Sequence, residues 1–103
     1  MSRALNMLGL CARAGRLVTG EKAVVQLVRG GGAFAVLLDG GAADNAVKAV
    51  VQACETHGAA LIRTPAFALG DAIGKRGRLA AAITDAGMAR RVLELFERET
   101  AAE

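Results

Sequence analysis

Six consecutive apolar residues, Ala33–Leu38, follow Gly30-Gly31-Gly32 and leave few folds open to this 103-residue chain. An apolar run of strand length with no polar alternation belongs to a central strand covered on both faces. Elements to cover it are written on either side. Ser2 is placed to cap a first helix in which Ala4, Leu5, Leu8 and Cys11 recur at helical spacing, and Gly15 ends it. After Leu17-Val18, Gly20 opens a second helix with Val24, Leu27 and Val28 on one face. The triple glycine stops that helix. Asp44 or Asn45 caps a third, whose inward stripe is Val47, Val50, Val51 and Cys54, and Gly58 closes it.

Ala59–Thr64, ended by Pro65, and Leu79–Ile83 read as further strands. Between them lies a short helical turn around Phe67–Ile73. Asp85 caps a last helix with Met88, Ala89, Val92 and Phe96 on its inner face. Helices with one apolar face alternating with apolar strands predict a three-layer α/β/α sandwich around a small mixed sheet. Nothing divides it, so residues 1–103 read as a single domain whose tail, 97–103, frays.

Composition narrows the function classes. Apolar residues make up 53%, which excludes a disordered chain. Aromatic residues are only Phe34, Phe67 and Phe96, so recognition of single strands by base stacking has little to work with. No apolar run has membrane-span length, and Arg13 and Arg16 interrupt any secretory core, which makes the cytoplasm the default location. Cys11 and Cys54 sit far apart as small core hydrophobes. Cys54 and His57 have ligand-like spacing without a second pair to complete a metal site, so no metal or cofactor is expected.

Charge is placed unevenly. The chain carries net +3, yet residues 1–30 and residues 63–91 each carry +4, against −2 between them and −3 after Arg91. Two basic segments on a weakly basic chain point to a localised anionic partner. Each holds a turn of glycines and cations. One is Arg13-Ala14-Gly15-Arg16 through Thr19-Gly20-Glu21-Lys22, and the other is Gly70-Asp71-Ala72-Ile73-Gly74-Lys75-Arg76-Gly77-Arg78. Backbone that bare can approach another backbone closely, and its cations suit a polyanion.

Enzyme readings fail on these residues. Gly70-x-x-x-Gly74-Lys75 is one residue short of the GxxxxGK[ST] phosphate loop, and Arg76 replaces its Ser or Thr. It also precedes a strand rather than following one. Gly30-Gly31-Gly32 stands before its strand, the wrong side for a dinucleotide fingerprint. With one His and an almost terminal Ser2, no nucleophilic set can be assembled. Asp44 and Asp85 are accounted for as caps, and Asp71 as compensation of a helix dipole. A binding reading uses what remains. A helix beginning at Gly20 offers free N–H groups to a phosphate, Thr19 can cap it, and Lys22 and Gln26 share one face.

The order Arg13-Ala14-Gly15-Arg16-Leu17-Val18-Thr19-Gly20-Glu21, then an apolar strand, then Leu69-Gly70-x-Ala72-Ile73-Gly74-Lys75, then Ala82-Ile83-Thr84-Asp85-x-Gly87, resembles the ribosomal protein L-seven-Ae and L-thirty-e superfamily. It is most similar there to the small bacterial YlxQ-type proteins, from about residue 4 to residue 96. The resemblance implies an α/β/α sandwich that binds structured RNA, kink-turns above all, without catalysis. It places Arg16, Thr19, Gly20, Glu21, Lys22 and Gln26 at one RNA-facing turn and Gly74, Lys75, Arg76 and Arg78 at the other, with Asn45 and Lys48 on the same side.

Two departures stand out. Ala23 occupies a position where kink-turn binders often carry Glu or Gln. The loop after Gly74 is strongly basic where they present an apolar tip. The expected partner is therefore structured RNA, ribosomal RNA included, in a ribonucleoprotein of the ribosome or of RNA processing. The alternative is a protein-interaction or regulatory module on the same fold, with a protein partner or second domain.

Overall fold

A computed structural model describes residues 2–101. In chain order it contains α1 (Arg3–Arg13), β1 (Leu17–Thr19), α2 (Glu21–Arg29), β2 (Ala35–Asp39), α3 (Asp44–His57), β3 (Leu61–Thr64), α4 (Ala68–Ile73), β4 (Ala80–Ile83) and α5 (Ala86–Ala101). The strands form one sheet in the order β1-β4-β2-β3. β4 runs antiparallel to both β1 and β2, and β3 runs parallel to β2, so the sheet is mixed. A parallel neighbour requires a long crossover, and α3 supplies it.

Strand alternation sorts the core into two layers. Ala35 and Leu37 of β2, with Ala81 and Ile83 of β4, pack against Leu8 and Cys11 of α1, Leu69 and Ile73 of α4, and Ala89 and Val92 of α5. The intervening Val36, Leu38, Ala80 and Ala82 pack against Val24 and Val28 of α2 and Val50, Ala53 and Cys54 of α3. The sheet thus has helices on both faces, the three-layer sandwich the apolar run Ala33–Leu38 required. Burial raises the pKa of both cysteine thiols, one in each layer.

Several local expectations change. Leu17–Thr19 is an edge strand paired with β4, too short to show an alternating pattern. β2 starts at Ala35 and extends to Asp39, whose carboxylate is buried. Ser2 and Asp85 act as caps, their side chains accepting from the N–H groups of Leu5 and Met88. Asp44 and Asn45 do not cap α3. Ala43 holds that position without a side-chain bond, and the two polar residues fall inside the first turn, where Asp44 complements the helix dipole. α5 runs through Ala101 and so takes in residues 97–101 of the tail, and Ser2 Oγ donates to Glu99 at 2.6 Å. Residues 102 and 103 of that tail lie outside the described residues.

Asp39 organises one end of the sheet. It is 0% exposed. One carboxylate oxygen accepts from the N–H of Gly41 at 2.8 Å and of Phe67 at 2.6 Å. The other accepts from Thr64 Oγ1 at 2.8 Å and the Leu69 N–H at 3.0 Å. Burial by itself raises the pKa of this carboxyl, but the bonds from Leu69, Gly41, Phe67 and Thr64 outweigh it and hold the group below its ordinary value. Phe67 is the one non-glycine residue with positive φ among those described, at 64°. That backbone conformation is costly for an L-residue, and the bond to Asp39 helps hold it.

A candidate nucleic-acid interface

Pairing register brings the two glycine-and-cation turns together. Thr19 lies opposite Ala81, and Leu38 opposite Ala80. The C-terminal ends of β1 and β2 therefore meet the N-terminal end of β4. The start of α2, the 40–43 loop, the start of α3 and the 74–79 loop gather at that end.

Gly20 is the point of contact. Its φ of 100° and ψ of 140° favour glycine, and a Cβ there would lie 3.4 Å from Nη1 of Arg78. Its N–H donates to the Ala80 carbonyl, which ties the mouth of α2 to β4. Gly20 is itself the N-cap and no side chain caps α2, so the expectation that Thr19 does so is not met. Thr19 is instead the last residue of β1, held in the ladder opposite Ala81. First-turn N–H groups without a side-chain acceptor give α2 a positive end directed at this surface.

Gly70 is required by a close approach. A Cβ there would fall 2.9 Å from the Lys75 carbonyl oxygen and 3.2 Å from Cα of Arg76. The loop folds back over α4, with the Lys75 N–H donating to the Gly70 carbonyl and the Arg78 N–H to the Lys75 carbonyl. Gly70→Ala forces that backbone apart. It is expected to cost about 1–3 kcal/mol by overpacking, a drop of roughly 5–20 °C in Tm that a thermal melt reads directly.

Two clefts hold five of the expected residues, Gly20, Glu21, Lys22, Gln26 and Arg78. One, between α2, α3 and the loop, is lined by Gly20, Glu21, Ala42, Ala43, Ala46, Gly77 and Arg78, among others. The second runs along α2 and holds Lys22, Gln26 and Arg29 beside Ala49 of α3. Lys22 and Gln26 thus share a face as their spacing required, and Arg29 extends the row by one turn. Asn45 and Lys48 are exposed on the first turns of α3, and neither lines these clefts. Arg16 is placed elsewhere. Its carbonyl accepts from the Thr84 N–H, at the opposite end of β1 and β4 from the loop.

Few acids neutralise this surface. Among the described residues the ion pairs are Arg76 with Asp71 and Arg91 with Glu94, both at 3.6 Å and both well exposed. Exposed pairs of this kind contribute about 0–1 kcal/mol, so Arg76 is readily given up to a stronger anion. Lys22, Lys75 and Arg78 form no ion pair with a described acid. Glu21 contributes the opposing charge, at the helix end that favours it.

Phe67 lies outside the residues expected at the site. The residue is 64% exposed and lines a further cleft with Arg76, Gly77 and Arg78. Its proximity to the basic loop follows from the bond to Asp39, 28 positions earlier, which no local pattern reveals.

This geometry has counterparts. Residues 3–93 match the ribosomal protein L7Ae/L30e/S12e/Gadd45 family. The chain belongs to that family. The RNA-binding protein YlxQ of Bacillus subtilis (strain 168) is 35% identical over 92 residues, covering 88% of this chain and 92% of the relative. A solved protein of unknown function from Bacillus halodurans superimposes with a TM-score of 0.89 at 33% identity, covering 94% of this chain and 99% of its own. The Giardia lamblia 15.5kD RNA binding protein shares the fold, with a TM-score of 0.70 at 22% identity and coverage of 90% and 84%. The L7Ae-type sandwich is therefore the frame on which the two basic turns of this chain are mounted. No described helix is long and apolar enough to cross a membrane.

Proposed function

We propose that this L7Ae-family chain binds structured RNA, without catalysis, through a cradle formed by the mouth of α2 (Gly20–Lys22) and the 74–78 loop. The observation that carries it is the shared cleft of Gly20 and Arg78, with Arg78 Nη1 3.4 Å from where a Cβ on Gly20 would stand, which sets two separately encoded basic turns side by side on one surface with few counter-charges among the described residues. The RNA-binding relative in Bacillus subtilis supports the choice of polyanion. Gly20, Lys22, Lys75, Arg76 and Arg78 contact phosphates, with Gln26, Asn45 and Lys48 at the border. Arg16, at the far end of β1, is left out of the cradle.

Ala23 cannot read a base edge, and Lys75, Arg76 and Arg78 make the loop an electrostatic contact. Backbone and shape recognition follow, the mode by which proteins hold helical RNA. A cytoplasmic ribonucleoprotein role, on the ribosome or in RNA processing, fits two buried free thiols and a basic surface.

The test is binding to a labelled kink-turn RNA and to an uninterrupted duplex of equal length. With four cations on phosphates, log Kobs falls with log salt at a slope of about −3 to −4, and affinity drops ~100-fold between 50 and 200 mM salt. Comparable, salt-sensitive binding to both RNAs supports a backbone reader. Clear preference for the kink-turn shows that specificity survives Ala23. Failure to bind either at low salt favours the protein-interaction reading instead.

A further inference from the structure

Arg13 opened the first basic turn in the sequence, yet the cradle leaves it unused. Side chains alternate along β1, so Leu17 and Thr19 face one side while Val18 faces the other. Leu17 packs against the α1–α4–α5 layer, which turns Thr19 toward that layer and away from the α2 mouth. There Arg13, Thr19 and Lys75 line one cleft of about 150 Å³, its remaining walls being Ala12, Leu17 and Ile73.

Three features make this more than exposed charge. The cleft is lined by two cations, a hydroxyl and apolar groups, with no acid among them. The Arg13 side chain lies back along α1, its Nη1 3.4 Å from where a Cβ on Gly9 would stand, so the glycine leaves it room there. Neither Arg13 nor Lys75 pairs with an acid among the described residues.

We propose that Arg13, Thr19 and Lys75 form a second phosphate subsite on the opposite face of β1 from the α2 mouth. Lys75 belongs to the loop that both sites share. RNA bound in the cradle continues past the end of β1, and the next stretch of its backbone places a phosphate between Arg13 and Lys75 with the Thr19 hydroxyl donating to it. The subsite rests on the RNA-binding reading and widens its footprint onto the α1–α4 layer.

Arg13→Gln tests it with Lys75 left in place, using the kink-turn and duplex RNAs. Losing one charge-assisted phosphate contact weakens binding ~10-fold and lowers the salt slope by about 1. Arg13→Lys restores the slope, and Thr19→Val weakens binding while leaving the slope unchanged. Arg63→Gln, on the far edge strand β3, leaves both at wild-type values. Arg13 is exposed on the last turn of α1, so an unchanged thermal melt separates lost binding from lost folding.

Wild-type affinity and slope in Arg13→Gln overturn the subsite, provided that the wild type binds and that charge reversal in the 74–78 loop abolishes binding. No binding by the wild type removes the RNA-binding reading itself, and the subsite with it.

Discussion

Reversing Lys75, Arg76 and Arg78 together to Glu is expected to weaken RNA binding about 1000-fold or more. Each lost charge-assisted contact removes roughly 1.5 kcal/mol, and three together exceed 4 kcal/mol before any repulsion from the new carboxylates. All three side chains are exposed on a loop. The only ion pair lost among the described residues is the exposed Arg76–Asp71 pair, so Tm should move by no more than a few degrees. Electrophoretic mobility or anisotropy titration beside a thermal melt reads both quantities. Undiminished affinity in the triple variant would mean that the cradle is not the binding surface. Lost RNA binding with an intact fold would also separate the cradle from any protein partner that docks elsewhere.

Asp39→Ala is the substitution with the largest expected effect on stability, about 3–5 kcal/mol, or roughly 15–30 °C in Tm. It strands the N–H groups of Gly41, Phe67 and Leu69 and the Thr64 hydroxyl around an empty space. Asp39→Asn recovers only part of this, because its amide N–H₂ would face N–H donors at one of the two oxygen positions. Loss of the Phe67 anchor also loosens the left-handed turn ahead of α4, and α4 leads into the 74–78 loop. RNA affinity should therefore fall with stability.

The same carboxylate sets a pH dependence. Its folded pKa lies below the ordinary value of 3.8, so in acid the unfolded chain binds the proton first. Stability from this group is complete above the unfolded value and is lost as pH falls through the folded one. Urea midpoints measured from pH 7 down to pH 3 should decline at the acid end in the wild type. Asp39→Asn should show a flatter curve.

These two predictions divide along what the sequence could reveal. Ala33–Leu38 announced a doubly covered strand, and the helical stripes announced its two covering layers, because burial periodicity is local information. Ser2 and Asp85 were legible for the same reason, each bonding an N–H three positions ahead. Asp39 was not. Three of its four partners lie 25–30 positions away, so in sequence it looks like an ordinary strand-ending acid.

The site was legible in parts. The spacing of Lys22 and Gln26 gave their common face, and Gly70 marked a place where backbones pass closely. That the two basic turns meet depends on β1 pairing with β4, and three residues carry too little pattern to show it. The same short strand decides that Thr19 turns to the Arg13 side, that it cannot cap α2, and that Arg16 stands at the wrong end for the cradle.

The most direct measurement is a map of backbone amide shifts in the labelled protein as a duplex RNA with an internal loop is added at near-physiological salt. The largest changes are expected at Gly20–Lys22 and Gly74–Leu79, with smaller ones at Asn45 and Arg13 and none along β3. Changes centred on Arg63 and the β3 edge, or on α5, with the 74–79 loop unmoved, would contradict the cradle.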